Sequence, residues 1–244
     1  MDRDTLALDV IEVVEGAGVF ALSRLNSPKE VAVKGSKADV VTDVDTQVQE
    51  RLAKALLHLL SGSRLLLEEE TGGMGPEVEG KVILPEDLST ITSDTGVWIV
   101  DPIDGTTNYS HGLPFFSHSI ALWQGDCVVL GVVHCPATGE TYHAVKGGGS
   151  YLKGKAITAS TTKALSSALG VTGYPYDPAL NPGQRRLIDM FSKELQELRI
   201  MGSSALELCY VAAGKLDVYW EPGLRIWDTA AGQLIAWEAG CRVS

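Results

Sequence analysis

Acidic residues in this chain recur where apolar runs begin or end, and the densest such point is WIVDPIDGTTNY at 98–109. Val97, Trp98, Ile99 and Val100 read as a buried strand. Asp101 and Asp104 follow, held by Pro102, and then come Gly105, Thr106 and Thr107. Two carboxylates placed across a turn can converge on one point, and hard divalent cations such as Mg2+ take oxygen ligands of this kind. The glycine and hydroxyls beyond them could seat an anion on backbone N–H groups. Equally, Asp101 could end the strand and Asp104 cap a helix starting at Gly105.

Other acids stand in similar places. Glu68, Glu69 and Glu70 follow the strand-like Leu65–Leu67, where a solvated turn is the plainer account. Asp39, Asp43 and Asp45 straddle Val40, Val41 and Thr42. If that segment is extended, Asp43 and Asp45 project to the same side. Asp228 precedes a helical stretch over Thr229–Ala239 and would serve equally as an N-cap. Glu221 follows a strand ending Val218-Tyr219-Trp220. Gly202, Ser203 and Ser204 open another helix and could offer N–H groups to a ligand or simply cap it. His111 and His118 lack metal-ligand spacing and read as structural. Lys34 is either a substrate-side cation or a surface lysine. A cluster of uncompensated acids repels itself, and bound cations would resolve that.

The elements that must position these residues follow from periodicity. Amphipathic helices are predicted over 4–25 and 44–60, a strand at Leu65–Leu67, and a long surface loop over 72–96 with a short strand at Val82–Leu84. Strands at Ser117–Trp123, Val128–His134 and Thr141–Val145 suggest an antiparallel meander. Gly147, Gly148, Gly149 and Gly154 around Tyr151-Leu152 favour a hairpin over a phosphate cradle, since no Lys-Ser/Thr follows at P-loop spacing. Beyond lie strand 169–172, a helix near 184–195, helix 204–213, strand 216–220 and helix 229–239. This alternation reads as a small α/β unit. The division is expected near Lys146, giving an N-terminal α+β domain over 1–146 and a C-terminal α/β domain over 147–244.

With 45% hydrophobic residues and 244 positions, the chain can bury a sizeable core. Its net charge of −11 argues against nucleic acid or an anionic membrane as partner. Cys127, Cys135, Cys209 and Cys241 form no CxxC pair and read as reduced thiols of a cytoplasmic protein. No secretion signal or membrane span is expected.

Taken together, these segments resemble the inositol monophosphatase family of metal-dependent phosphatases. DPIDGTTNY at 101–109 is similar to its first signature and WDTAAGQLIAWEAG at 227–240 to its second. GSSALELCYVAAGKLDVYWEPG at 202–223 is similar to the substrate-side segment, and KGSKADVVTDVD at 34–45 to the N-terminal acid segment. The resemblance covers nearly the whole chain in family order. It implies a layered αβαβα sandwich of the sugar-phosphatase type, in the α+β or α/β class.

By the same resemblance, Glu69, Asp101 and the carbonyl of Ile103 match ligands of one metal, and Asp101, Asp104 and Asp228 those of a second. Gly105 and Thr106 match the residues whose N–H groups hold phosphate. Thr106 and Asp45 match the pair that orients the attacking water. Asp104, Ser204 through its N–H, and Glu221 match contacts to substrate hydroxyls, and Glu70 a supporting acid. The implied activity is two-metal, Mg2+-dependent hydrolysis of inositol monophosphate or a similar small polyol phosphate, with lithium sensitivity and a homodimer. Related activities on the same scaffold use fructose 1,6-bisphosphate, histidinol phosphate or 3′(2′),5′-bisphosphate nucleotides. A non-catalytic regulatory relative is the alternative of another class, against which the intact acid set speaks.

The chain departs from the family pattern at several places. Glu68 stands where the family usually has glycine. Glu69 is taken as the ligand because Thr71 fits the hydroxyl residue that follows the pair. The 72–96 loop is longer than usual, and Cys241 replaces a glycine. Family members usually continue through one more strand, so an exposed sheet edge is expected, with reduced stability or a compensating interface.

Overall fold

The computed structural model describes residues 2–34, 40–90 and 96–244; Asp39 and the end of the 72–96 loop lie outside them. Helix α1 (Arg3–Arg24) presents Leu6, Val10, Val14, Ala17 and Ala21 on one buried stripe. Strands β1 (Val31–Val33) and β2 (Val40–Thr42) form a small antiparallel ribbon leading into α2 (Asp43–Leu59). Asp43 and Asp45 are therefore not in an extended segment. They occupy the first turn of α2, which Thr42 caps by accepting from Val44 N at 3.2 Å. A Thr-x-x-acid capping box, with Asp45 Oδ2 accepting from Thr42 N at 3.0 Å, starts the helix at Asp43, one residue before its predicted start.

Next come β3 (Arg64–Leu67), the short helix α3 (Pro76–Glu79) and β4 (Val97–Asp104). Val82 makes only an isolated bridge to Leu65, so the strand expected at 82–84 is a single pairing within a loop. Helix α4 (Thr106–Ser110) precedes β5 (Ser117–Gln124), β6 (Cys127–Cys135), β7 (Glu140–Val145), β8 (Ser150–Leu152) and β9 (Lys155–Ile157). Together β3 to β9 form one seven-stranded sheet in chain order, antiparallel except for the β3–β4 pair. The β8–β9 hairpin lies past Lys146 yet pairs onto this sheet. The sheets change only after Ile157. A three-stranded parallel sheet then follows, ordered β11 (Glu197–Arg199), β10 (Leu169–Thr172), β12 (Val218–Trp220). The helices of this half are α5 (Asn181–Glu194), α6 (Ser204–Ala212) and α7 (Ile226–Glu238).

The layering follows from which faces are apolar. In β4, Trp98 and Val100 join a core with α1 and α2, whereas Val97 and Ile99 join a second core with α6 and α7. Burial on both faces explains the uninterrupted apolar run. Gly131 of β6 lets α7 approach so closely that a Cβ there would lie 2.8 Å from the Ala231 carbonyl oxygen. Beyond α6 and α7 the small sheet is covered by α5, where the Phe191 and Trp220 rings sit 4.8 Å apart. The order is helix, sheet, helix, sheet, helix. Strand β12 is an edge of the small sheet, beside a groove of about 580 Å3 lined in part by Leu208, Val211, Trp220, Gln233 and Val243. All four cysteines are free.

Candidate active site

The acids gather where β3 and β4 end side by side. Their parallel register pairs Leu67 with Val100, and Glu68 N continues it by donating to Val100 O at 3.2 Å. Glu68 and Asp101 are thereby neighbours. Asp101 is buried, and its Oδ1 has no hydrogen-bond partner among the described residues. Burial first, then the charges of Glu68, Asp104 and Asp228, push the Asp101 carboxyl well above the usual range. These causes together show four carboxylates sharing one poorly hydrated space.

Beyond Asp101 the ladder slips, and Asp104 next pairs with Ser117. Pro102 cannot donate to the ladder, consistent with the irregularity falling there. The turn closes at Gly105, whose φ of 98° and tight surroundings exclude a side chain: a Cβ would meet the Gly202 carbonyl oxygen at 2.8 Å. His118, buried under the turn, holds the Pro102 carbonyl through Nδ1. Desolvation lowers its pKa to about 4, so the ring is neutral and structural, as its spacing suggests.

Thr106 Oγ1 lies 2.9 Å from Asp45 Oδ1 and 3.0 Å from the Ile103 carbonyl oxygen. Asp45 is fully buried and also accepts from the Thr42 hydroxyl. Burial raises its pKa to about 6, against the lowering effect of those hydroxyl bonds. Asp104 is anchored in the second half of the chain. Its Oδ1 accepts from Ser204 N at 3.0 Å; its Oδ2 accepts from Ala205 N at 2.9 Å, Ser117 Oγ at 3.1 Å and the Ser203 hydroxyl. The α6 N-terminus thus does hold an anion, and that anion is a side chain of the protein. Burial still raises the Asp104 pKa overall.

Asp228 lies in the first turn of α7 and is not its N-cap; Oδ2 accepts from Arg225 N at 2.6 Å. Burial raises its pKa to about 8, with Asp104, Glu68 and Glu221 adding to the effect. Glu221 accepts from Tyr219 Oη at 2.9 Å and is raised to about 7, chiefly by burial. Glu69 is buried and raised to about 8 by burial and then by Glu68, opposed by Lys34. Lys34 is no free surface lysine: its ammonium bonds Glu69 and lies 3.0 Å from Glu68 Oε1. Glu70 is exposed.

Comparison with known proteins gives this arrangement a family. The inositol monophosphatase family model matches residues 2–244. The chain belongs to the inositol monophosphatase family. It is 37% identical to the inositol-1-monophosphatase SuhB of Mycobacterium tuberculosis over 98% of this chain and 81% of that one. It is 35% identical to the Nus factor SuhB of Pasteurella multocida over 84% of this chain and 71% of that one. The crystal structure of the extragenic suppressor protein SuhB from Bartonella henselae superposes with a TM-score of 0.83. There, 31% identity covers 95% of this chain and 84% of that one. The chain is accordingly a phosphoric monoester hydrolase with the layered fold of its family.

Within that family fold, Asp45, Asp101, Ile103, Asp104, Gly105, Thr106 and Asp228 gather around the β3–β4 ends and the α6 and α7 starts, with Glu69 beside them. Glu70 is exposed, Glu69 is buried, and Glu68 is half-buried with its Oε2 shielded. The Ser204 N–H is committed to Asp104. Among the described residues no three His, Cys, Asp or Glu side chains already close into a metal cage. The acids nonetheless suit cations. Asp101 Oδ1 and Glu68 Oε2 are buried and unpartnered, Lys34 already provides one positive charge, and all-oxygen donors suit a hard divalent ion.

Several contributors gave no signal in the sequence. Gln49, fully buried on α2, clamps the Glu69 backbone in both directions, each bond 2.9 Å. Asn108 Nδ2 joins α4 to Phe115 O at 2.8 Å and Met201 O at 2.7 Å. Glu207 Oε1 accepts from the N–H groups of Met201 and Gly202, at 3.0 and 2.9 Å. An amide or acid on an amphipathic segment declares a partner only when that partner is near in sequence.

Proposed function

We propose that the chain is a Mg2+-dependent phosphomonoesterase acting on inositol monophosphate or a similar small polyol phosphate. The observation that carries this reading is the buried, unpartnered oxygen of Asp101, set among Glu68, Asp104 and Asp228 beside the Thr106–Asp45 pair. The name of the Mycobacterium tuberculosis relative supports the substrate class.

In this reading Glu69, Asp101 and the Ile103 carbonyl would hold one ion, and Asp101, Asp104 and Asp228 a second. Bound there, the ions would supply a more acidic water and neutralise charge on the phosphate and on the leaving oxygen. The chain's own residues do the rest. Asp45, with a pKa of about 6, is an anion at neutral pH. It therefore draws the Thr106 hydroxyl proton toward itself and leaves a Thr106 lone pair free to orient a water and accept its proton. In this reading the N–H groups of Gly105 and Thr106 would hold the phosphate. Ser204 N fixes Asp104, which with Glu221 addresses the hydroxyls of the polyol. Glu70 is left outside the cluster.

The same reading includes lithium sensitivity, a homodimer and a cytoplasmic location. Among the described residues no helix is long and apolar enough to cross a membrane. A role as a Nus factor, the name the Pasteurella relative carries, would not need the acid set. Phosphate release is the test, measured with Mg2+ over inositol phosphates, fructose 1,6-bisphosphate, histidinol phosphate and 3′-phosphoadenosine 5′-phosphate. Inositol monophosphate is expected to turn over fastest, and excess EDTA or added lithium to suppress release. Full-rate release in excess EDTA overturns the metal-dependent reading.

A further inference from the structure

We propose that Glu68 is itself a metal-ligating carboxylate, paired with Asp101, and that the Lys34 ammonium takes its place as counter-charge when no metal is bound. This rests on the phosphatase reading above only for the class of ion, a hard divalent cation.

The first support is register. Parallel pairing of β3 and β4 runs to Leu67 and Val100, and the Glu68 N to Val100 O bond carries it one step further. Glu68 and Asp101 are thus brought side by side at the strand ends. The second is satisfaction. Glu68 Oε2 and Asp101 Oδ1 are both buried without a hydrogen-bond donor, and Asp101 is only 2% exposed. Two ionised carboxylates offer no donor to each other, so these two shielded oxygens call for a cation between them. The third is that a cation is already seated there. Lys34 Nζ lies 3.0 Å from Glu68 Oε1 and also bonds Glu69.

Glu69 is engaged by Lys34 and clamped through its backbone by Gln49. A glycine at position 68, as in the motif this segment resembles, could supply none of these contacts. A divalent ion drawn to Glu68 Oε2 and Asp101 Oδ1 would repel the Lys34 ammonium held on the Oε1 atoms of Glu68 and Glu69. Lys34 therefore competes with metal, and its departure frees Glu68 and Glu69 together.

The test is a Mn2+ titration of the full chain followed by electron paramagnetic resonance, with Mg2+ as competitor. Glu68→Gln is expected to weaken Mn2+ binding about ten-fold or more, in line with the loss of a group that tunes a metal site. Lys34→Met is expected to tighten it. Circular dichroism melts without metal check folding. Should Glu68→Gln fail to fold, Glu68→Gly supplies the residue usual in the family. Wild-type affinity in the Glu68 variant, with affinity lost in Asp101→Asn or Glu69→Gln, overturns the role of Glu68 and leaves the phosphatase reading standing. Unchanged or weaker binding in Lys34→Met overturns the competition. If the unaltered chain binds no Mn2+ at millimolar concentration, both readings fall.

Discussion

The hydroxyl of Thr106 sits between two acceptors, Asp45 Oδ1 at 2.9 Å and the Ile103 carbonyl oxygen at 3.0 Å, and both surroundings are buried. Thr106→Ala removes the donor to Asp45 Oδ1 and deprives that buried carboxylate oxygen of its hydroxyl bond. A loss of about 1–3 kcal/mol in unfolding free energy is expected, together with a fall in kcat of roughly 10²–10⁴ if the pair steers proton transfer. Thr106→Ser restores the donor and should recover most of both. Denaturant unfolding and steady-state phosphate release on the two variants check this, and equal kcat for Ala and Ser would remove the hydroxyl from the chemistry. Thr106, Asp101, Asp104 and Asp228 were legible because residue type, spacing and a long motif coincide. The Glu68–Glu70 run was not, because three like residues carry no internal register. Only pairing with β4 turns Glu68 toward Asp101 and leaves Glu70 in solvent.

Between elements, the turn after β4 is coupled to the segment before α6 at Gly105. A Cβ at this residue would fall 2.8 Å from the Gly202 carbonyl oxygen and 3.2 Å from that of Phe115, on a backbone with φ of 98°. Both contacts are with backbone, which cannot swing aside. Gly105→Ala is therefore expected to cost about 1–3 kcal/mol, a drop of ~2–4 °C in Tm for each kcal/mol at this chain length. Because Asn108 and Asp104 span the same junction, Mn2+ affinity should fall with it. Calorimetry checks the first effect, and an unchanged Tm would show that the two segments can separate freely. The long helices and the meander were readable from apolar periodicity alone. The strands β1 and β11 were not: each has three residues, mostly exposed, and alternation over three residues decides nothing. The capping box at Thr42 ends the extended segment at β2 and puts Asp43 and Asp45 in α2, since a local hydrogen bond outweighs a short alternating pattern.

At the scale of the molecule, the acid cluster links stability to pH and to metal. Folded pKa values stand at about 8 for Glu69, Asp228 and Glu207 and about 7 for Glu221, against ordinary values of 4.5 for glutamate and 3.8 for aspartate. Burial is the first cause in each. Raised acids hold protons that the unfolded chain has lost, so their contribution is complete below the ordinary value and lost as pH climbs through the folded one. His118 works in the opposite sense. Its pKa is lowered to about 4 from 6.5, so stability rises with pH across that interval and then levels off. His134 and His143, also lowered by burial, act in the same direction. Below pH 6.5 the two effects oppose each other; between 6.5 and about 8 only the acids act. The metal-free protein should therefore lose Tm steadily across that upper window, each retained proton being worth about 1.4 kcal/mol per pH unit. Added Mg2+ should restore Tm, and restore more of it at pH 8 than at 6.5, because a cation replaces protons on Glu69 and Asp228. Glu207, bonded to the N–H groups of Met201 and Gly202, would keep its share of the loss. Scanning calorimetry at three pH values in EDTA and in Mg2+ decides the matter. A Mg2+-induced shift of equal size at every pH would mean that metal and protons do not compete for these carboxylates.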